Sequence, residues 1–136
     1  MTAGYSKTPL VKKLGLKAGF TALTYHAPDH YFQLLEGLPE HVHFPTEYKG
    51  GEVDFIHLFF KEEEQLKEQL PRYKERLSKQ GLLWVSWPKK ASKVPTTVDE
   101  ALVRREGLSL GLVDVKVCAV DEVWSGLKFV YRVKDR

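Results

Sequence analysis

Two stretches of the chain are nearly continuous in apolar residues. Val53–Phe60 reads VDFIHLFF and Leu82–Trp87 reads LLWVSW. A strand covered on both faces of a parallel sheet has this pattern. The stretch between them predicts a helix over Glu62–Lys79. Leu66, Leu70, Tyr73 and Leu77 recur at i, i+4, i+7 and i+11, which is one helical face. Three glutamates open it, and Lys74, Arg76 and Lys79 close it, in accord with the helix dipole. Pro71 is expected to kink or restart the helix, and Gly81 to end it.

Other segments alternate. Val113, Val115, Val117 and Ala119 fall on one face, and Leu127, Phe129, Tyr131 and Val133 on one face of the next stretch. Between them Asp121–Gly126, DEVWSG, is short enough for an antiparallel hairpin. Upstream, Thr8 suits an N-cap, Pro9 a first helical position and Gly15 a left-handed stop, so a short helix is expected there. Phe20–Tyr25 predicts the first strand, residues 29–36 a helix, and His41–Phe44 a short strand stopped by Pro45. Thr97 and Glu100 form a capping box for a helix near 98–106, closed by Gly107.

Strands alternating with helices predict a single three-layer α/β domain over residues 1–136, Rossmann-like. Its sheet of five or six strands should be mostly parallel and end in a C-terminal antiparallel hairpin. Right-handed crossovers place helices on both faces. The expected core includes Leu23, Phe55, Ile56, Leu58, Leu83, Val85, Val115, Val117, Phe129 and Tyr131.

Composition narrows the class. The 136 residues are 43% hydrophobic and 29% charged, which suits a folded chain rather than a disordered one. Cys118 is the single cysteine, so neither an internal disulfide nor a thiolate zinc site is available, and a reducing, cytoplasmic setting is expected. No apolar run approaches the ~18 residues of a membrane span. MTAGYSKTPLVKKLG has no apolar core of a signal peptide. The net charge is +3, from 21 basic and 18 acidic residues intermixed along the chain, which argues against a dedicated nucleic-acid binder.

Two resemblances follow from particular strings. Leu14–Gly19 before a strand, Asp54 opening VDFIHLFF, and GLLWVS resemble the first strand and two later neighbours of class I S-adenosylmethionine (SAM) methyltransferases. The closing hairpin is similar to their final antiparallel pair. This resemblance implies a shortened methyltransferase order, with the region of their second and third strands compressed. It also exposes a departure. Those enzymes turn after the first strand on glycines, where backbone meets cofactor, whereas this chain has Tyr25-His26-Ala27-Pro28-Asp29-His30. No acidic residue ends a second strand to meet a ribose. GYSKTPLVKKLG, LLWVSWPKK and GLVDVKVCAVDEVWSGLKFVYR resemble a small bacterial family of uncharacterised proteins, a domain of unknown function, which implies no reaction.

In open α/β sheets, ligands sit outside the carboxyl ends of the strands. The expected ligand edge therefore gathers His26 and Asp29 after the first strand, and Trp87, Lys89, Lys90 and Ser92 after LLWVSW. Glu122, Trp124 and Ser125 join them from the hairpin. The lysines beside Trp87 suit a carboxylate or phosphate next to an aromatic wall. The loops Pro88–Lys93 and Asp121–Gly126 should face each other, with Trp87 and Trp124 flanking the gap and Lys89 or Lys90 meeting Glu122 or an anion. If the turn after the first strand is helical, His26 and His30 point the same way with Asp29 beside them. His41 and His43 would share a strand face, but two ligands do not make a metal site, and none is assigned. His57 reads as a satisfied core histidine, and Cys118 as a small buried hydrophobe.

No Walker loop, GxSxG elbow, HExxH or EF-hand loop occurs. These readings favour a non-catalytic small-ligand-binding or regulatory module on a degenerate methyltransferase-like scaffold. Its partner would be a small anionic ligand or a protein. The alternative is a small-molecule transferase, SAM-dependent or not, acting at the same edge. No residue pattern selects a cofactor.

Overall fold

The computed structural model describes residues 8–136. Residues 1–7, where the expected 1–136 domain and the GYSKTPLVKKLG string have their start, lie outside the described residues. The strands are β1 (Ala22–Tyr25), β2 (Val53–Phe59), β3 (Leu77–Pro88), β4 (Leu112–Ala119) and β5 (Trp124–Tyr131). The helices are α1 (Leu10–Leu14), α2 (Tyr31–Leu34), α3 (Glu63–Lys74) and α4 (Glu100–Ser109).

The sheet order is β1-β2-β3-β5-β4. β1, β2 and β3 run parallel, while β5 is antiparallel to both β3 and β4. VDFIHLFF and LLWVSW thus pair as expected, with Ile56 opposite Leu83 and Leu58 opposite Val85.

Strand alternation builds two apolar layers. Ile56, Leu58, Leu83, Val85, Leu127 and Phe129 face one way and pack with Leu66 and Leu70 of α3 and Leu102 and Val103 of α4. Phe55, Phe59, Trp84 and Trp124 face the other way and pack with Val11 and Leu14 of α1 and with Tyr31 and Leu35. The result is a three-layer α/β domain.

Several boundaries differ from the sequence reading. The helix after β2 runs through Pro71 and stops at Lys74. Leu77 is not on its face but opens β3 opposite Val53. The register then jumps, and Phe55 meets Leu82. Gly81 sits in this irregular stretch, where a Cβ would lie 2.6 Å from Leu77 Cδ1 and 3.1 Å from the Asp54 carbonyl oxygen. It permits close backbone approach in a strand rather than ending a helix.

α2 is one turn only, and His41–Phe44 forms no strand beyond a bridge between Thr21 and His43. At α4 the cap is Asp99, whose Oδ1 accepts the Leu102 N–H at 2.9 Å. Thr97 instead accepts the Glu63 N–H at 2.7 Å, at the start of α3. Gly107 lies inside α4, pressed against the Phe129 ring, and the stop comes at Gly111 with φ +86°. Gly15, with φ +85°, does end α1 as read from the sequence.

β4 departs furthest from the alternation pattern. Val115 and Val117 are 51% and 43% exposed rather than core residues. β4 is the edge strand, and its register shifts between Asp114 and Lys116. Alternation identified the strand, but α4 covers only its start, around Leu112 and Asp114, and the part that carries Val115 and Val117 is left in water.

Candidate functional site

Because β1, β2 and β3 are parallel, their carboxyl ends share one edge of the sheet. β4 runs the same way, since β5 is antiparallel to both β3 and β4. The loops after β3 and β4 therefore meet at that edge. Pro88 pairs with Trp124, and the Lys89 N–H donates to the Val123 carbonyl at 2.7 Å.

A cleft of about 550 Å³ opens there. Pro28, His26 and Asp29 of the β1–α2 turn form one side. Phe59, Lys61, Glu62 and Gln65, from the end of β2 and the start of α3, form the next. Val94, Val123 and Trp124 complete it. Its apolar floor is Trp124 set edge-on to Phe59, with ring centroids 5.1 Å apart and planes at 89°. Its rim mixes two basic side chains, His26 and Lys61, with two acidic ones, Asp29 and Glu62. Such an apolar base with a few polar groups is the usual form of a small-ligand site.

Local chemistry fixes each wall. The Lys61 carbonyl accepts the Thr97 N–H at 2.9 Å and the Thr96 hydroxyl at 2.7 Å, which holds the returning loop across the end of β2. Asp121 Oδ1 accepts the N–H groups of Val123 and Trp124 at 2.8 and 2.7 Å, shaping the hairpin loop. Its Oδ2 lies 2.8 Å from His30 Nε2, so one carboxylate joins the hairpin to the β1–α2 turn.

The turn after β1 is not helical. His26 has φ +53° and stacks on Tyr25, with centroids 4.0 Å apart and planes 5° from parallel. His30 pairs with Asp121 instead, so the two histidines do not converge. His41, with φ +62°, breaks the expected shared face with His43. Among the described residues, no three His, Cys, Asp or Glu side chains gather in a metal-binding group.

The expected ligand residues divide into groups. His26, Asp29 and Trp124 line the cleft. Trp87 and Lys90 line a neighbouring hollow of about 480 Å³ with Thr96–Ala101. Trp87 and Trp124 do not flank one gap: Trp87 packs in the α3/α4 layer and Trp124 in the α1/α2 layer. Ser92 serves its own turn, donating to the Lys89 carbonyl at 2.6 Å and accepting the Val94 N–H at 3.2 Å. Ser125 is a strand residue opposite Trp87. Glu122 is exposed, and no ion pair among the described residues joins it to Lys89 or Lys90.

Beneath the cleft lies a polar chain that the sequence only half revealed. His57 is fully buried, with Nδ1 2.9 Å from the Tyr31 hydroxyl and Nε2 2.8 Å from Ser86 Oγ. Burial lowers the His57 pKa to about 3 and raises that of the Tyr31 hydroxyl. His57 is therefore a satisfied core histidine, as its apolar strand implied. Neutral and walled from solvent, it anchors α2 to β2 and β3.

No protein-family model and no curated protein matches the chain. The likeness to the small bacterial family thus rests on its sequence strings alone. Solved structures do match in fold. A SAM-dependent methyltransferase from Aquifex aeolicus superposes with TM-score 0.60 at 17% identity, covering 88% of this chain and 86% of that one. DhpI in complex with SAH superposes with TM-score 0.63 at 9% identity, covering 92% and 83%. Magnesium protoporphyrin IX methyltransferase from Synechocystis PCC 6803 with bound SAH gives TM-score 0.58 at 12% identity, covering 90% and 78%. The chain has a Rossmann-like, methyltransferase-like fold. At these identities the likeness concerns the fold and not the reaction.

Proposed function

We propose that this protein is a small-ligand-binding or regulatory module on a degenerate methyltransferase-like scaffold, and that the carboxyl-edge cleft is its ligand site. The bacterial, cytoplasmic setting expected from the sequence belongs to this reading. No helix among the described residues is long and apolar enough to cross a membrane.

One observation carries the proposal. At the turn where the resembled enzymes use glycine, this chain has His26 in a left-handed conformation with its ring laid on Tyr25, followed by Pro28. A non-glycine residue held at positive φ costs of order 1–3 kcal/mol and persists only where its surroundings enforce it. His26 and Pro28 thus stand at this turn in place of glycine, and the cleft beside it has an apolar floor and a rim of both charges. That rim suits a small polar ligand carrying an anionic group, which Lys61 and His26 would meet. Lys89 and Lys90 lie on the loop after β3, with Lys90 lining the neighbouring hollow, and would add positive charge near the cleft.

The second reading is a small-molecule transferase at the same cleft. It is favoured by the fold neighbours, two of which hold SAH.

A thermal-shift screen of metabolites, including SAM, SAH and nucleotides, tests the proposal. A true ligand at 100 times its Kd stabilises the fold by about 2.7 kcal/mol. The shift should shrink in Lys61→Ala and Gln65→Ala. Shifts that survive both changes would remove the ligand from this cleft.

A further inference from the structure

The intermixed charges of the sequence are sorted in space. Arg104 pairs with Glu100 and Asp114, Lys67 with Glu63, and Arg105 with Glu106, all but Asp114 on α3 or α4. The lysines near α1 have no such partners. Lys116 lies directly opposite Lys128 in the β4–β5 ladder, and Lys128 directly opposite Trp84. The Lys128 ammonium sits 5.8 Å from the centre of the Trp84 ring. Trp84 in turn donates its indole N–H to the Leu14 carbonyl at 2.8 Å, which docks the C-terminal end of α1 beside them. That end carries Lys12 and Lys13, and Lys17 follows shortly after. No ion pair among the described residues involves Lys13, Lys17, Lys116 or Lys128.

Like charges directly opposite across two strands destabilise a sheet, and here no ion pair among the described residues relieves them. We propose that this face, next to the β4 edge, is an anion site in which Lys13, Lys17, Lys116 and Lys128 hold a compact oligophosphate. None of the four lines either hollow at the carboxyl edge, so the site is separate from the cleft. Burial, then Lys116 and Lys17, lowers the Lys128 pKa, a tension that a bound anion would relieve. Phosphates in series match several ammonium groups better than a single carboxylate does. The aromatic ring at the site, Trp84, is fully buried and offers no surface for a base to stack on. Single-stranded nucleic acid, which relies on such stacking, is accordingly the less suited source of phosphate.

Tripolyphosphate is the probe, titrated by calorimetry at low ionic strength. The expected result is saturable binding that weakens roughly tenfold for each lysine removed in Lys116→Gln and Lys128→Met. Methionine keeps an apolar stem over Trp84, so the fold is retained. Cys118 supplies a second readout. It is the only cysteine, lies opposite Gly126 on β4, and its thiol feels Lys13, Lys116 and Lys128. Tripolyphosphate should slow its alkylation. Lys116→Glu should raise Tm by relieving the lysine pair and should abolish binding. Absence of saturable binding, or binding unchanged by these substitutions, would overturn the site. A 12-nucleotide thymidine strand binding much more tightly than tripolyphosphate would overturn the compact ligand in favour of a nucleic-acid backbone.

Discussion

Asp121 holds His30 across 91 positions of sequence, with Oδ2 2.8 Å from Nε2, while its Oδ1 takes two backbone N–H groups of its own hairpin. This carboxylate is how the β1–α2 turn and the β4–β5 loop stay together as two walls of the cleft.

The two residues should differ in worth. The His30 ring is about half exposed, at 47%, whereas Asp121 is 14% exposed. An exposed side-chain contact of this kind contributes at most about 1 kcal/mol, so His30→Ala should cost little. Asp121→Ala also strands the Val123 and Trp124 N–H groups, and should cost roughly 1–3 kcal/mol. Denaturant midpoints of the two variants check this ordering. Equal losses would contradict it.

Gly107 shows no positive φ, yet a Cβ there would come within 2.2 Å of the Phe129 ring. α4 can lie this close to β5 only without that side chain. Gly107→Ala should destabilise by roughly 1–3 kcal/mol or more through overpacking, although alanine is the better helix former. A denaturation curve at or above the wild-type midpoint would refute the close packing.

His57 should make the fold acid-sensitive. Its folded pKa of about 3 lies below the ordinary 6.5. Below pH 6.5 the unfolded chain binds a proton that the folded chain refuses. Stability therefore falls as pH drops from about 6.5 towards 3, by up to about 1.4 kcal/mol per pH unit. His57→Phe should flatten that slope, while costing roughly 1–3 kcal/mol at neutral pH because Tyr31 and Ser86 lose their buried partner. Stability measured from pH 7 to pH 4 in both proteins checks the sign.

Much of this architecture is legible in the residues. VDFIHLFF and LLWVSW are buried parallel neighbours because continuous apolar runs need cover on both faces. The loops after β3 and β4 share one edge because α4 supplies a crossover between two strands of like direction. Other features depend on distance in space rather than pattern. Leu77 fits the helical period, yet pairing with Val53 draws it into β3. Val115 and Val117 alternate like core residues, yet nothing covers the edge they reach.

The candidate site is legible only in part. His26, Asp29 and Trp124 were readable from the ligand-edge rule, whereas Asp121 was readable only as part of a short hairpin loop, and its bonds to the Val123 and Trp124 N–H groups and to His30 appear only in the folded structure. Gln65 and Val94 carried no signal, because their place in the cleft depends on how the loop after β3 crosses the start of α3. The division of Trp87 from Trp124 follows from strand register, which alternation alone does not align between strands.

A methyltransferase-like frame whose first turn carries His26 and Pro28, where the resembled enzymes carry glycine, is expected not to receive SAM in their pose. Calorimetric titration of SAM into the purified protein is the decisive experiment. No saturable heat is expected at micromolar ligand, because His26 and Pro28 occupy the turn that glycine would leave open. Micromolar binding that is lost in His26→Ala or Asp29→Ala would contradict it and favour the transferase reading.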